Sequence, residues 1–97
     1  ADTLAEPVAA KAMAPAPFYL RMELTDKPGA LAKVATILGE EGISIDRMRQ
    51  YGHQASSAPV LIVTHKCTRD PIGHALERLP ATRVVIGERV ALRIEEL

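Results

Sequence analysis

Aromatic residues are scarce in this chain: Phe18, Tyr19 and Tyr51 are the whole stock among 97 residues, and tryptophan is absent. A protein that reads nucleic-acid bases by stacking needs more rings than this, placed on its central strands. Charge of one sign is lacking too, because twelve Lys and Arg balance twelve Asp and Glu for a formal net charge of +0. A neutral chain has no overall field with which to hold DNA, RNA or an anionic membrane, so neither a nucleic-acid nor a membrane partner is expected. Cysteine is down to Cys67. One thiol forms neither an internal disulfide nor a thiolate metal cluster, which points to the reducing cytoplasm. No apolar run approaches the roughly 20 residues of a membrane span. No basic head followed by an unbroken apolar stretch marks a signal peptide.

Catalytic signatures are missing as well. The sequence has no G-x-G-x-x-G after a strand, no G-x-x-x-x-G-K, no H-E-x-x-H and no G-x-S-x-G. His53, His65 and His74 show no metal-ligand spacing. His53 is expected to be solvated in a polar loop, His65 to hydrogen-bond locally and His74 to lie on an exposed helix rim. Cys67 has no activating base beside it in sequence and reads as a partly buried, inert thiol. The pairs Glu40-Glu41 and Glu95-Glu96 read as solvated charge. The expectation is no catalytic residue, no metal ligand and no cofactor.

What is present falls into two parts. Residues 1–17 hold seven Ala and three Pro, ending in Ala-Pro-Ala-Pro, the composition of a semi-rigid tether. The folded unit is expected over 18–97. Phe18 to Thr25 alternates, with Phe18, Leu20, Met22 and Leu24 on one face of a strand. Leu31, Val34, Ala35 and Leu38 then recur at helical spacing, and Gly42 supplies a stop. A second strand over 43–51 slips phase near Asp46–Arg47, predicting a bulge. Pro59 to His65 is apolar through its middle, as in a strand whose two faces are both covered. Asp70-Pro71 reads as a helix cap with proline at the first position, and Pro80 as the end of that helix. Arg83–Ile86 and Val90–Ile94, split by Gly87, read as one bent strand or two.

The order β-α-β-β-α-β predicts an α+β ferredoxin-like sandwich, an antiparallel four-stranded sheet with two helices on one face. Its other sheet face stays open, yet Val60 to Val63 carries apolar side chains to both faces. Burial of that surplus against a second copy, in a dimer or higher homo-oligomer, is the expected solution. Acyl-phosphate hydrolases share this topology but need an asparagine to position water, and no Asn occurs here.

Asp26-Lys27-Pro28-Gly29 joins the first strand to the first helix, where backbone N–H groups lie at the positive end of a helix dipole. Gly29 lets a ligand approach the backbone closely, and Asp26 can accept a hydrogen bond from an ammonium group. An amino acid matches such a site with its carboxylate and ammonium; an ordinary capped turn is the other reading of the same residues.

Asp26-Lys-Pro-Gly-Ala-Leu31, Val34-Ala-x-Ile-Leu38 and Gly42-Ile-Ser-Ile45 together resemble the opening of the ACT domain, a small-molecule-sensing module of amino-acid metabolism. The likeness runs over 18–97. Tyr19-Leu-Arg21, Ala58-Pro-Val-Leu-Ile-Val-Thr-His65 and Val90-Ala-Leu-Arg-Ile-Glu95 are most similar to the C-terminal regulatory ACT domain of bacterial homoserine dehydrogenases. That resemblance implies a parent dehydrogenase dependent on NAD(P), on the route to threonine, methionine and isoleucine, with this chain as its non-catalytic part. It implies paired domains with an amino-acid effector, threonine favoured, held at their interface. The positions it points to are Asp26, Lys27, Pro28, Gly29, Ala30 and Leu31, with Ser44 and Ile45 from the next strand. Some sensing members carry Asn where this chain has Asp26, and some ACT domains assemble subunits without binding any ligand.

Overall fold

The computed structural model describes residues 14–51 and 57–95. Strand β1 (Phe18–Thr25) leads to helix α1 (Ala30–Glu40), strands β2 (Ile45–Gln50) and β3 (Ser57–Thr64), helix α2 (Arg69–Arg78), a 3-10 turn (Leu79–Thr82) and strand β4 (Val85–Arg93). The strands lie in the order β2-β3-β1-β4, every neighbour antiparallel. This is the ferredoxin-like sandwich that the element order predicts.

Alternation decides which side of each strand is buried. Phe18, Leu20, Met22 and Leu24 of β1 and Ala58, Val60 and Ile62 of β3 face the helices and are almost fully buried. Ala30, Val34, Ile37 and Leu38 of α1 and Ile72 and Ala75 of α2 close over them. Their neighbours Leu61 and Val63 point the other way and are only half-buried. The protomer thus covers β3 on one face, and the second cover expected from its apolar run is not supplied by the described chain.

Helix α1 begins after Gly29, whose φ of 83° places it in the left-handed region. It ends in a paired glycine signal: Gly42, φ 78°, donates to Gly39, and Ile43 donates to Leu38 at 2.8 Å. Helix α2 starts one residue ahead of Asp70, with Thr68 at its cap. The sequence placed that cap at Asp70. A proline is tolerated anywhere in the first turn, because those N–H groups have no partner inside the helix, so Pro71 does not fix the start. Nor does Pro80 end the helical path, which tightens into the 3-10 turn and stops at Arg83, φ 62°.

The bulge predicted near Asp46 is present, with Ile45 opposite Thr64 and Arg47 opposite Val63. β4 is a single bent strand. Its register shifts between Val90, opposite Arg21, and Ile86, opposite Glu23, so the two β4 residues beyond regular pairing are absorbed around Gly87, φ 69°. Ahead of β1, Ala16 is buried and exchanges backbone hydrogen bonds with Cys67 at 3.0 and 2.9 Å. Residues 1–13, the bulk of the expected tether, lie outside the described residues.

Thr64 is the one buried polar side chain of the described core. Its hydroxyl accepts from the Phe18 N–H at 2.9 Å and donates to the His65 carbonyl at 2.8 Å. It therefore ties the start of β1 to the end of β3. Thr64→Val keeps the shape and strands the Phe18 N–H, which should cost about 1–3 kcal/mol, read as a lower urea midpoint with an unchanged slope.

Candidate functional site

The loop between β1 and α1 is exposed from Asp26 to Gly29, while Ala30 turns into the core and Leu31 is half-buried beside it. The turn is closed by backbone bonds from Ala30 to Lys27 at 3.2 Å and from Lys33 to Gly29 at 3.0 Å. No side chain caps the helix at Gly29. A methyl group built at Gly29 would meet nothing within 4 Å, so the space over this turn is open. Two features therefore coincide here: backbone N–H groups at the start of a helix dipole, and a left-handed glycine that leaves room for a ligand to reach them.

Six of the eight residues singled out from sequence gather at this end of the sheet. Ser44 and Ile45 do not join them. β3 shows why: Thr25 pairs with Ser57 at one end of it, and Ile45 with Thr64 at the other. The 11 residues of α1 span the same gap, which is about 16 Å at 1.5 Å per residue. Exposed Ser44 instead has His65 and Asp46 for neighbours, its carbonyl accepting from the His65 N–H at 2.8 Å and the His65 ring lying 3.7 Å from the Asp46 carboxylate. His65 thus bonds locally, as its place at the end of β3 implies. Within one chain, the loop and the start of β2 lie at opposite ends of α1.

Sequence reasoning missed three features. Thr25 Oγ1, next to the loop, is buried with no hydrogen-bond partner among the described residues. The second is an ion-pair cluster joining the helices: the Arg78 guanidinium bonds Glu40 and, at 3.1 Å, Glu41, with His74 3.6 Å from Glu41. Glu40-Glu41 is therefore not simply solvated charge, since adjacent residues at the end of α1 straddle one guanidinium from α2. The hydrogen bond it donates to Glu40, then that to Glu41, holds the Arg78 pKa above its ordinary value. The third is a shallow groove of about 480 Å³ beside this cluster, floored by Ile37 and Ala81 and edged by Lys33 and Thr36.

Cys67 is half-buried, its sulfur 3.6 Å from Thr64 Oγ1. His74 is exposed, as expected of a rim position, and His53 falls outside the described residues. Among the described residues no cluster of three or more His, Cys, Asp or Glu is arranged to hold a metal ion. Among the described residues no helix is long and apolar enough to cross a membrane.

Residues 18–81 match the ACT domain family. The chain belongs to the ACT domain family. Over 82 residues it is 40% identical to a homoserine dehydrogenase of Pseudomonas aeruginosa, an alignment covering 82% of this chain and 19% of that protein. A homoserine dehydrogenase of Methylobacillus glycogenes is 39% identical over 82 residues, with 82% and 20% covered. In three dimensions this ACT domain superposes on a homoserine dehydrogenase from Thiobacillus denitrificans with a TM-score of 0.76 and 27% identity, over 88% of this chain and 19% of that one. The regulatory subunit of aspartate kinase from Thermus thermophilus gives a TM-score of 0.57 at 30% identity, over 82% of this chain and 51% of that one. The chain thus spans about a fifth of the length of the homoserine dehydrogenases it matches. This is an ACT domain homologous to part of those enzymes, and the remaining four fifths or so of their length is not matched.

Proposed function

We propose that this ACT domain is the regulatory and assembly module of an NAD(P)-dependent homoserine dehydrogenase of the cytoplasm. It pairs with a second copy and holds an amino-acid effector, threonine by preference, between the two. The observation that carries the reading is the separation of the half-sites, with the open Gly29 turn at one end of α1 and exposed Ser44 at the other. A two-fold axis across α1 sets two such helices antiparallel, and each loop then meets the partner's strand start. Exposed Ala32, Thr36 and Gly39 give that face of α1 small side chains, which allow close approach. In each of the two resulting crevices, N–H groups at the helix start take the effector's carboxylate, and Asp26 takes its ammonium.

A ligand that binds only where two domains meet favours one relative orientation of the pair. Transmitted to a joined catalytic region, such a bias is worth about 1–3 kcal/mol in typical allosteric coupling. Calorimetric titration with threonine, methionine, isoleucine and lysine tests the reading directly. Asp26→Ala should lower the affinity of the responding amino acid about tenfold or more, as expected for a lost charge-assisted bond, in a domain that stays folded. A folded, self-associated sample that is silent to all four would leave an assembly module without a ligand.

A further inference from the structure

Strand register fixes which side chains share the open face of the sheet. Read across β2, β3, β1 and β4, one row holds Arg47, Val63, Tyr19 and Leu92, and the next Arg49, Leu61, Arg21 and Val90. A third row continues with Pro59, Glu23 and Ile86, and Tyr51 joins it through its N–H bond to Pro59 at 3.0 Å. The face is therefore divided. Its β4 side is mostly apolar, with Ile86 and Val90 each 40% exposed and Leu92 57% exposed, and Glu88 beside Val90 and Arg21. Its β2 side carries guanidinium groups and phenol rings.

The division concentrates charge that the neutral composition conceals. Among the described residues no carboxylate lies within ion-pair distance of Arg21 or Arg49, and Arg47 approaches Asp46 only to 3.7 Å. Arg49 lies over the Tyr51 ring, 5.3 Å from its centre. Two shallow depressions of about 280 and 290 Å³ adjoin here. Arg47 and Arg49 edge the first, Arg21 and Tyr51 the second, and both share Tyr19 and Leu61.

We propose that this margin is a binding site for a nucleoside phosphate, separate from the amino-acid site. The base lies on the apolar floor of Leu61 between Tyr19 and Tyr51, and the phosphates bond to Arg21, Arg47 and Arg49. The chemistry matches in each part. Rings and flat guanidinium groups stack on a base. Arginine forks bond phosphate oxygens in pairs. Arg47 and Arg49 stand about 6.8 Å apart along their strand, and Arg21 about 10 Å from Arg49 across two strand spacings, within reach of one polyphosphate. A second copy of the chain is the poorer occupant for this quadrant, because Arg21, Arg47 and Arg49 converge on it while Glu23 is bonded by Ser57 at 2.7 Å, Asp46 stands 3.7 Å from Arg47 and Glu88 lies on the β4 side of Arg21. Ile86, Val90 and Leu92 on the β4 side suit a second copy better.

Both tyrosines of the chain line the site, so their ring-proton NMR signals report on it alone. ATP added to the 97-residue chain should shift both sets of ring signals and bind with a sub-millimolar dissociation constant that weakens as salt rises. The double variant Arg21→Gln, Arg49→Gln replaces exposed side chains and should keep its unfolding midpoint while losing affinity for ATP about tenfold or more. Adenosine should bind more weakly than ATP, and tripolyphosphate should leave the ring signals nearly unmoved. Failure of ATP to shift the rings, equal binding by the double variant, or equal ring shifts with tripolyphosphate would overturn the proposal. So would single-stranded oligonucleotides that bind more tightly than ATP in proportion to their length, since they would reassign the face to a polymer. The amino-acid titration is unaffected by either result, because its residues lie at the ends of α1.

Discussion

Ile62→Ala should destabilise the domain by about 2–5 kcal/mol, while Leu61→Ala, its neighbour in sequence, should cost the separated protomer only about 1 kcal/mol. The difference comes from the pleat. Ile62 is fully buried between the sheet and the helices, where truncation leaves a cavity inside the core that also holds Leu20, Val34 and Leu38. Leu61 stands on the open face, half in water, so its truncation forfeits apolar contact without opening a void. A small domain has roughly 5–15 kcal/mol of stability in all, so the first substitution removes a large share of it. Urea unfolding at low protein concentration measures both. Equal costs for the two residues in the separated protomer would mean that the open face is sealed within one chain.

The fold was legible because its signals are local and periodic. β1 alternates residue by residue over Phe18–Thr25 and α1 repeats at helical spacing, and both hold in the structure. The slip at Asp46 could be read because a bulge moves every later apolar residue to the other face. Proline positions were less informative. Pro71 sits inside the first turn of α2 where the sequence had it opening the helix, because nothing in a proline distinguishes one unpaired N–H position from another.

The candidate site was legible residue by residue but not as an assembly. Asp26 to Gly29 stand out by turn chemistry, and Ala30, Leu31, Ser44 and Ile45 entered only through the family pattern. Sequence says nothing of their separation, which depends on the length of α1 and the register of β3. The charged margin was hidden for the opposite reason. Total charge sums to zero over the whole chain, whereas Arg21, Arg47 and Arg49 are collected on one quadrant by strand pairing between segments far apart in sequence. Composition averages over such segregation.

Glycine substitutions separate backbone conformation from ligand space. Gly73 lies in α2 with ordinary helical geometry and open space where a Cβ would stand. Gly73→Ala should therefore stabilise the domain by about 0.5–1 kcal/mol, through the helix preference of alanine. Gly29 has equally open space but φ 83°. Gly29→Val should destabilise by about 1–3 kcal/mol, because a β-branched residue is strained in the left-handed region whatever surrounds it. Thermal or urea unfolding of the two variants should give shifts of opposite sign. The added isopropyl group also fills the volume over the α1 N-terminus that the proposed effector's carboxylate must enter. In the parent domain, an amino acid at 100 times its dissociation constant should stabilise by about 2.7 kcal/mol, and in Gly29→Val that increment should vanish. A Gly29→Val domain that is destabilised yet keeps the full ligand-induced increment would place the effector away from this turn. One that loses both would tie the strained backbone and the binding crevice to the same glycine, since strain alone lowers stability equally with and without ligand.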